Sequence, residues 1–125
     1  MIRGWIAAAA LGGLLSVIAG AIAAHLAPLD GHSADLLRTG ALYGLVHAAA
    51  LLGVSAIAER RGRPNLALAI AGWSFAGGLL LFSLSLYAIA ATGITAIGLA
   101  TPFGGIALLL GWAALGIDAL RLGRR

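Results

Sequence analysis

The sequence contains no cysteine, which removes disulfides, thiolate metal sites and cysteine nucleophiles from consideration. It also contains no lysine: all eight basic residues are arginines. Charge of either sign is scarce at 10%, against roughly a quarter in an ordinary soluble domain. Only four acids occur, Asp30, Asp35, Glu59 and Asp118, and each falls in a connecting segment or near the end of an apolar run. That leaves no carboxylate pair inside the apolar runs for acid–base chemistry, and no intramembrane acid of the kind a proton or ion pump carries. Glycine-rich phosphate loops, HExxH and HxxxH are likewise missing.

What fills the space is hydrophobic residue, 62% of 125 positions, with a mean hydropathy of +1.05. A helix needs about 20 mostly apolar residues to cross the hydrocarbon of a bilayer. Four segments satisfy this, at 4–27, 36–58, 66–91 and 101–120. The first resembles a signal peptide, with Arg3 and an Ala-Ile-Ala triplet, but its apolar run exceeds the 7–15 or so residues of such a segment. The connections PLDGHSAD, ERRGRPN and TGITAIGLA are short and make neighbours antiparallel. The expectation is a single all-α domain, a four-transmembrane-helix up-down antiparallel bundle.

Arginine placement orients it. With four spans, both termini and the 59–65 connection share one side, which holds Arg3, Arg60, Arg61, Arg63, Arg121, Arg124 and Arg125. Only Arg38 lies on the other. The positive-inside rule then puts both termini in the cytoplasm, with the seven arginines at the level of anionic lipid headgroups. The high isoelectric point of about 11.2 does not indicate nucleic acid, because these arginines border apolar runs and do not form one face of a soluble module.

Helices in lipid gain no hydrophobic energy from meeting, so small residues that admit close backbone approach mark the contacts. Gly12, Ser16, Gly20 and Ala24 recur every four residues on the first span, Gly40 and Gly44 on the second, Gly72 and Ala76 on the third, and Ala107 and Gly111 on the fourth. Polar side chains inside the spans supply the other candidates. His25, Tyr43, His47, Ser83, Tyr87 and Thr101 fall in the outer half or near the midplane at about 1.5 Å rise per residue. Tyr43 and His47 are four apart, as are Ser83 and Tyr87, so each pair shares a helix face. Ser85 points elsewhere and can bond back to the carbonyl four residues earlier. The six residues read either as interhelical hydrogen-bonding groups or as the lining of a ligand pocket. His25 and His47 differ in depth by about 10 Å on the same ruler, which favours hydrogen-bonded structural histidines over a pair of haem or metal ligands. His47 is expected to be neutral and to bridge helices. Asp118 is expected to pair at helical spacing with Arg121 or Arg125.

AIAAHL, LYGLVHAAALL, FSLSLYAIAATG and TPFGGIALLLGW occur in this order along the chain. In these motifs the sequence resembles domain-of-unknown-function family 423, small four-helix inner-membrane proteins with mitochondrial relatives called transmembrane protein 256-like. The resemblance covers nearly the whole chain. It implies that Ala24-His25, His47, the pattern Phe82, Ser83, Ser85, Leu86, Tyr87 and the pattern Thr101, Pro102, Gly104, Gly105 match family positions. The family commonly has glutamine after the helix-two tyrosine and tyrosine before its histidine, where this chain has Gly44 and Val46. Any polar site on that helix is weakened here.

The family implies no activity. The sequence favours a non-enzymatic inner-membrane protein, an accessory or assembly subunit that meets other membrane subunits or further copies of itself. The alternative is a protein that binds or transports a lipid, quinone or small solute among its outer-half polar residues. No cofactor is expected, with haem and quinone the ones left open. Orientation is directly testable because the chain lacks cysteine. Of single cysteines placed at Ser33, Gly62 and Gly123, only the first should react with an impermeant thiol reagent in intact cells. Labelling at Gly62 without labelling at Ser33 would reverse the topology.

Overall fold

The structure, a computed structural model, describes residues 1–26 and 30–124. Four long helices account for nearly all of it: α1 Ile2–His25, α2 Gly31–Arg60, α3 Leu66–Thr92 and α4 Thr101–Leu122. Each is long and apolar enough to cross a membrane, and no strand occurs among the described residues. The fold is the expected all-α antiparallel bundle. Helix ends extend past the apolar spans, most clearly in α2, while Ala27, the end of the first predicted span, lies outside the described residues. The connection read as a plain loop between the last two spans contains a short 3₁₀ helix, Thr95–Leu99.

Local chemistry fixes the helix ends. Asp30 caps α2, its carboxylate accepting from the Ser33 N–H at 2.6 Å and from the Ser33 hydroxyl at 3.2 Å. The bond from the Ser33 amide, then that from its hydroxyl, holds the Asp30 carboxyl below its ordinary pKa. This cap therefore persists above the ordinary carboxylate range and is lost as pH falls through the lowered value. Asn65 caps α3 by accepting from the Leu68 N–H at 2.8 Å. Gly93 closes α3 at φ 71°, a left-handed position that a residue without Cβ takes without strain.

α3 packs against all three other helices, α1 packs on α2 and α3, and α4 lies along α3; α1 and α4 form no comparable interface. On α2 the buried residues Ala34, Leu37, Ala41, Gly44, Ala48, Leu51, Ser55 and Ala58 alternate by three and four. On α1 the contact line is Trp5, Ala9, Gly12, Ser16, Ala19 and Ala23, with the same alternation. This departs from the every-four stripe read on the sequence, in which Gly20 is only half-buried and Ala24 is exposed. The reason is geometric. Each step of four advances the side chain about 40° round an α-helix, so such a stripe turns away within three steps. A 3.5-residue average keeps facing its partner.

Five glycines receive side chains from a neighbouring helix, four of these side chains large. Trp5 lies on Gly72, Leu79 on Gly12, Phe75 on Gly111, Tyr87 on Gly40 and Ser16 on Gly44, and a methyl group at any of these would collide with its guest. The main apolar core, around Trp5, Leu51, Leu68, Phe75 and Leu79, occupies the half of the bundle that holds the termini. A smaller cluster of Ala19, Ala23, Leu37 and Ala41 lies in the other half.

These seats make a contrast measurable. Gly72→Ala should destabilise the bundle by about 1–3 kcal/mol, because the fully buried Trp5 ring has no room to retreat. At Gly20 an added Cβ would meet only the Ala41 methyl at 3.8 Å, so Gly20→Ala should be neutral or slightly stabilising. Reversible unfolding in mixed micelles compares the two. Equal stability of both variants would mean that Trp5 is not seated on α3.

Candidate functional site

The polar side chains singled out on the sequence do not form one pocket. They separate into three groups, each at a different helix junction. The first lies where α1, α2 and α3 meet. The Ser83 hydroxyl donates to the Gly40 carbonyl at 2.8 Å, and the Ser16 and Tyr87 hydroxyls pair at 3.0 Å. Gly40 and Gly44 make room on α2, the one for the Tyr87 ring and the other for Ser16 and Ser83. Ser16, read on the sequence as a small packing residue, thereby supplies a hydrogen bond as well.

The second group joins α2 to α4 across α3. His47 is buried, and its Nδ1 lies 2.7 Å from the Tyr43 carbonyl one turn earlier. The Trp112 indole N–H donates to Nε2 at 3.0 Å. An indole nitrogen can only donate, so Nε2 is the acceptor and Nδ1 carries the proton donated to the carbonyl. Both ring nitrogens of a neutral imidazole are thereby satisfied. The Tyr43, Phe75 and Trp112 rings surround it with centroids at 5.9, 5.8 and 6.0 Å. Sequence reasoning missed Trp112. Spacing relates residues on one helix and cannot pair a histidine on α2 with an indole 65 residues later; an intramembrane indole donor near the midplane was the available signal.

The third group is Thr101 at the start of α4 and Ser85 on α3, whose hydroxyls lie 2.6 Å apart. Ser85 also donates to the Phe82 carbonyl, three residues back where the sequence suggested four. It is an interhelical contact and not merely self-satisfied. His25 stands apart from all three groups, exposed at the end of α1. Among the described residues no three His, Cys, Asp or Glu side chains gather as metal ligands would.

At the opposite end of the bundle a buried carboxylate changes the reading of the arginine rim. Asp118 on α4 accepts from Arg61 at 2.9 Å and from the Asn65 side-chain amide at 2.6 Å. These partners lie in the α2–α3 connection; of the two arginines that spacing suggested on α4, Arg125 lies outside the described residues. Asn65 thus caps α3 through its oxygen and holds α4 through its nitrogen. Arg61 faces the protein, whereas Arg3, Arg60, Arg63, Arg121 and Arg124 are exposed, and Arg125 lies outside the described residues. Arg38, on the other side, donates to Asp35 and to the Ala23 carbonyl near the end of α1.

A family model described as "Protein of unknown function (DUF423)" matches residues 19–105, well over half of the chain. The chain belongs to this family. The UPF0382 membrane protein YwdK of Bacillus subtilis is 34% identical over 116 residues, covering 90% of this chain and 92% of the relative. The UPF0382 inner membrane protein YgdD of Escherichia coli K12 is 32% identical over 125 residues, covering 94% and 89%. A UPF0382 membrane protein of Haemophilus influenzae is 35% identical over 114 residues, covering 90% of each. No solved structure matches. Four spanning helices and membrane-protein relatives of equal extent make this a multi-pass membrane protein.

The His47–Trp112 bond can be measured by a double-mutant cycle of His47→Leu and Trp112→Phe. The coupling should lie near 0.6 kcal/mol and below about 2 kcal/mol, the range for interhelical hydrogen bonds in membranes. His47→Gln keeps a donor and an acceptor and should be milder than His47→Leu. Zero coupling in unfolding measurements would remove the bridge between α2 and α4.

Proposed function

We propose that this chain is a non-enzymatic subunit of a larger inner-membrane assembly, with both termini in the cytoplasm. The observation that carries this reading is the open side of the bundle. A closed four-helix bundle would pair its first and last helices. Here α4 packs along α3 with much of its surface facing outward: Phe103, Leu109 and Leu120 are all strongly exposed. Exposed α4 glycine without a neighbour, Gly116, adds a place where another backbone can approach.

The chemistry inside the bundle fits the same reading. Ser16, Ser83, Ser85, Tyr87, Thr101 and His47 already hold one another or the backbone, which leaves no free nucleophile with a base beside it. At the cytoplasmic rim, Arg3, Arg60, Arg63, Arg121 and Arg124 are the headgroup contacts, while Arg61 serves Asp118. The name of the Escherichia coli relative supports inner-membrane residence, and the arginine asymmetry supports cytoplasmic termini.

Extraction of the tagged chain from its own membrane in native-lipid discs, followed by mass spectrometry, tests this directly. The expected result is a second membrane protein, or further copies of the chain, in fixed stoichiometry. Discs that contain one copy and no protein partner would refute the subunit assignment.

A further inference from the structure

Between α2 and α4, with α3 as its floor, lies a cleft of about 430 Å³, within the size range of small-molecule sites. Tyr43 and Val46 line it from α2, Phe82 from α3, and Gly105, Leu109 and Trp112 from α4. These residues lie in spanning helices, so the cleft opens to hydrocarbon and admits only what dissolves there. The His47–Trp112 hydrogen bond joins its two walls side chain to side chain at 3.0 Å. A helix with its side chains is about 10 Å across and does not pass between walls so joined. The occupant must be thinner.

It must also be more than an acyl chain. The hydroxyls of Ser16, Ser83, Ser85, Tyr87 and Thr101 are all paired within the protein. Tyr43 lines the cleft, and its hydroxyl has no hydrogen-bond partner among the described residues. A phenol that faces hydrocarbon unpaired is penalised, and a saturated chain offers it nothing. Flat aromatic surfaces complete the chemistry. Tyr43 packs on Phe82 with centroids 4.7 Å apart and a tilt of 38°, and the Trp112 indole closes the far side. Such walls suit a planar ring.

We propose that this cleft binds a lipid-soluble molecule with a planar, carbonyl-bearing ring, of the quinone class, whose carbonyl oxygen accepts from the Tyr43 hydroxyl. His47 and Trp112 act as a positioning pair: their mutual bond fixes the cleft width and leaves neither free to bind the ring by hydrogen bonding. The proposal stands on the cleft alone and is independent of whether the chain is a subunit of a larger assembly.

The test uses the full chain, purified alone in phosphatidylcholine nanodiscs, with a short-chain benzoquinone analogue and stearate as two separate probes. Saturable uptake of one quinone per chain is expected, measured by native mass spectrometry. Tyr43→Phe should weaken it about fivefold, the value of one net hydrogen bond. Gly105→Leu should abolish it. A Cβ there would meet nothing closer than the Phe82 ring at 3.9 Å, so the backbone accepts a side chain at this cleft-lining position. Gly116→Leu, on the same helix but with no neighbour, should leave binding unchanged. Quinone uptake that is unsaturable or unaffected by Gly105→Leu would overturn the site. Equal binding of stearate, with no effect of Tyr43→Phe, would reduce it to an acyl-chain groove and overturn the assignment of a ring.

Discussion

Hydrocarbon gives two apolar helices no reason to associate, and the arrangement of this protein follows from that constraint. Attraction must come from close contact, and close contact needs surfaces without side chains. The chain supplies them as glycines that receive a large residue from the next helix: Gly72 beneath Trp5, Gly111 beneath Phe75, Gly12 beneath Leu79. In two of these pairs the large side chain, and in the third the glycine, belongs to α3. That is why α3 is the helix that touches all the others, and why its buried residues lie on more than one face.

The polar contacts act on top of that packing. Each interhelical bond in a membrane is worth only about 0.6 kcal/mol on average, so Ser16–Tyr87 or His47–Trp112 does not by itself hold the bundle together. Their geometric effect is larger than their energetic one. Ser83 on the Gly40 carbonyl sets how far α3 slides along α2. Trp112 on His47 and Asp118 on Arg61 fix α4 near its middle and at its end, which sets its rotation about its own axis.

Span number, helix type and the seats at Gly12, Gly40, Gly44, Gly72 and Gly111 were legible in the sequence, because hydropathy and small-residue spacing are properties of a single helix. What joins different helices was not. Ser83 and Tyr87 were found, but as members of one cluster with His47 and Thr101, where the structure has three separate junctions. Depth along the membrane normal is readable from residue number; position around the bundle is not, and it separates His47 from Tyr87. Asp118 shows the same limit. Helical spacing points only to arginines on the same helix and could not show that the carboxylate also reaches a connection far earlier in the chain.

That long separation has a consequence for biosynthesis. Asn65 and Arg61 leave the ribosome 53 and 57 residues before Asp118 does. α1, α2 and α3 can complete their mutual contacts while α4 is still unmade, since α1 and α4 form no interface comparable to the others. The last helix then arrives at a finished three-helix surface on which an arginine and an amide stand without their acceptor. Asp118 lies near the end of α4, so it reaches them only after almost the whole helix has been synthesised. A chain truncated before residue 118 would keep most of its spanning sequence and lack the contact that ties the end of α4 to the α2–α3 connection.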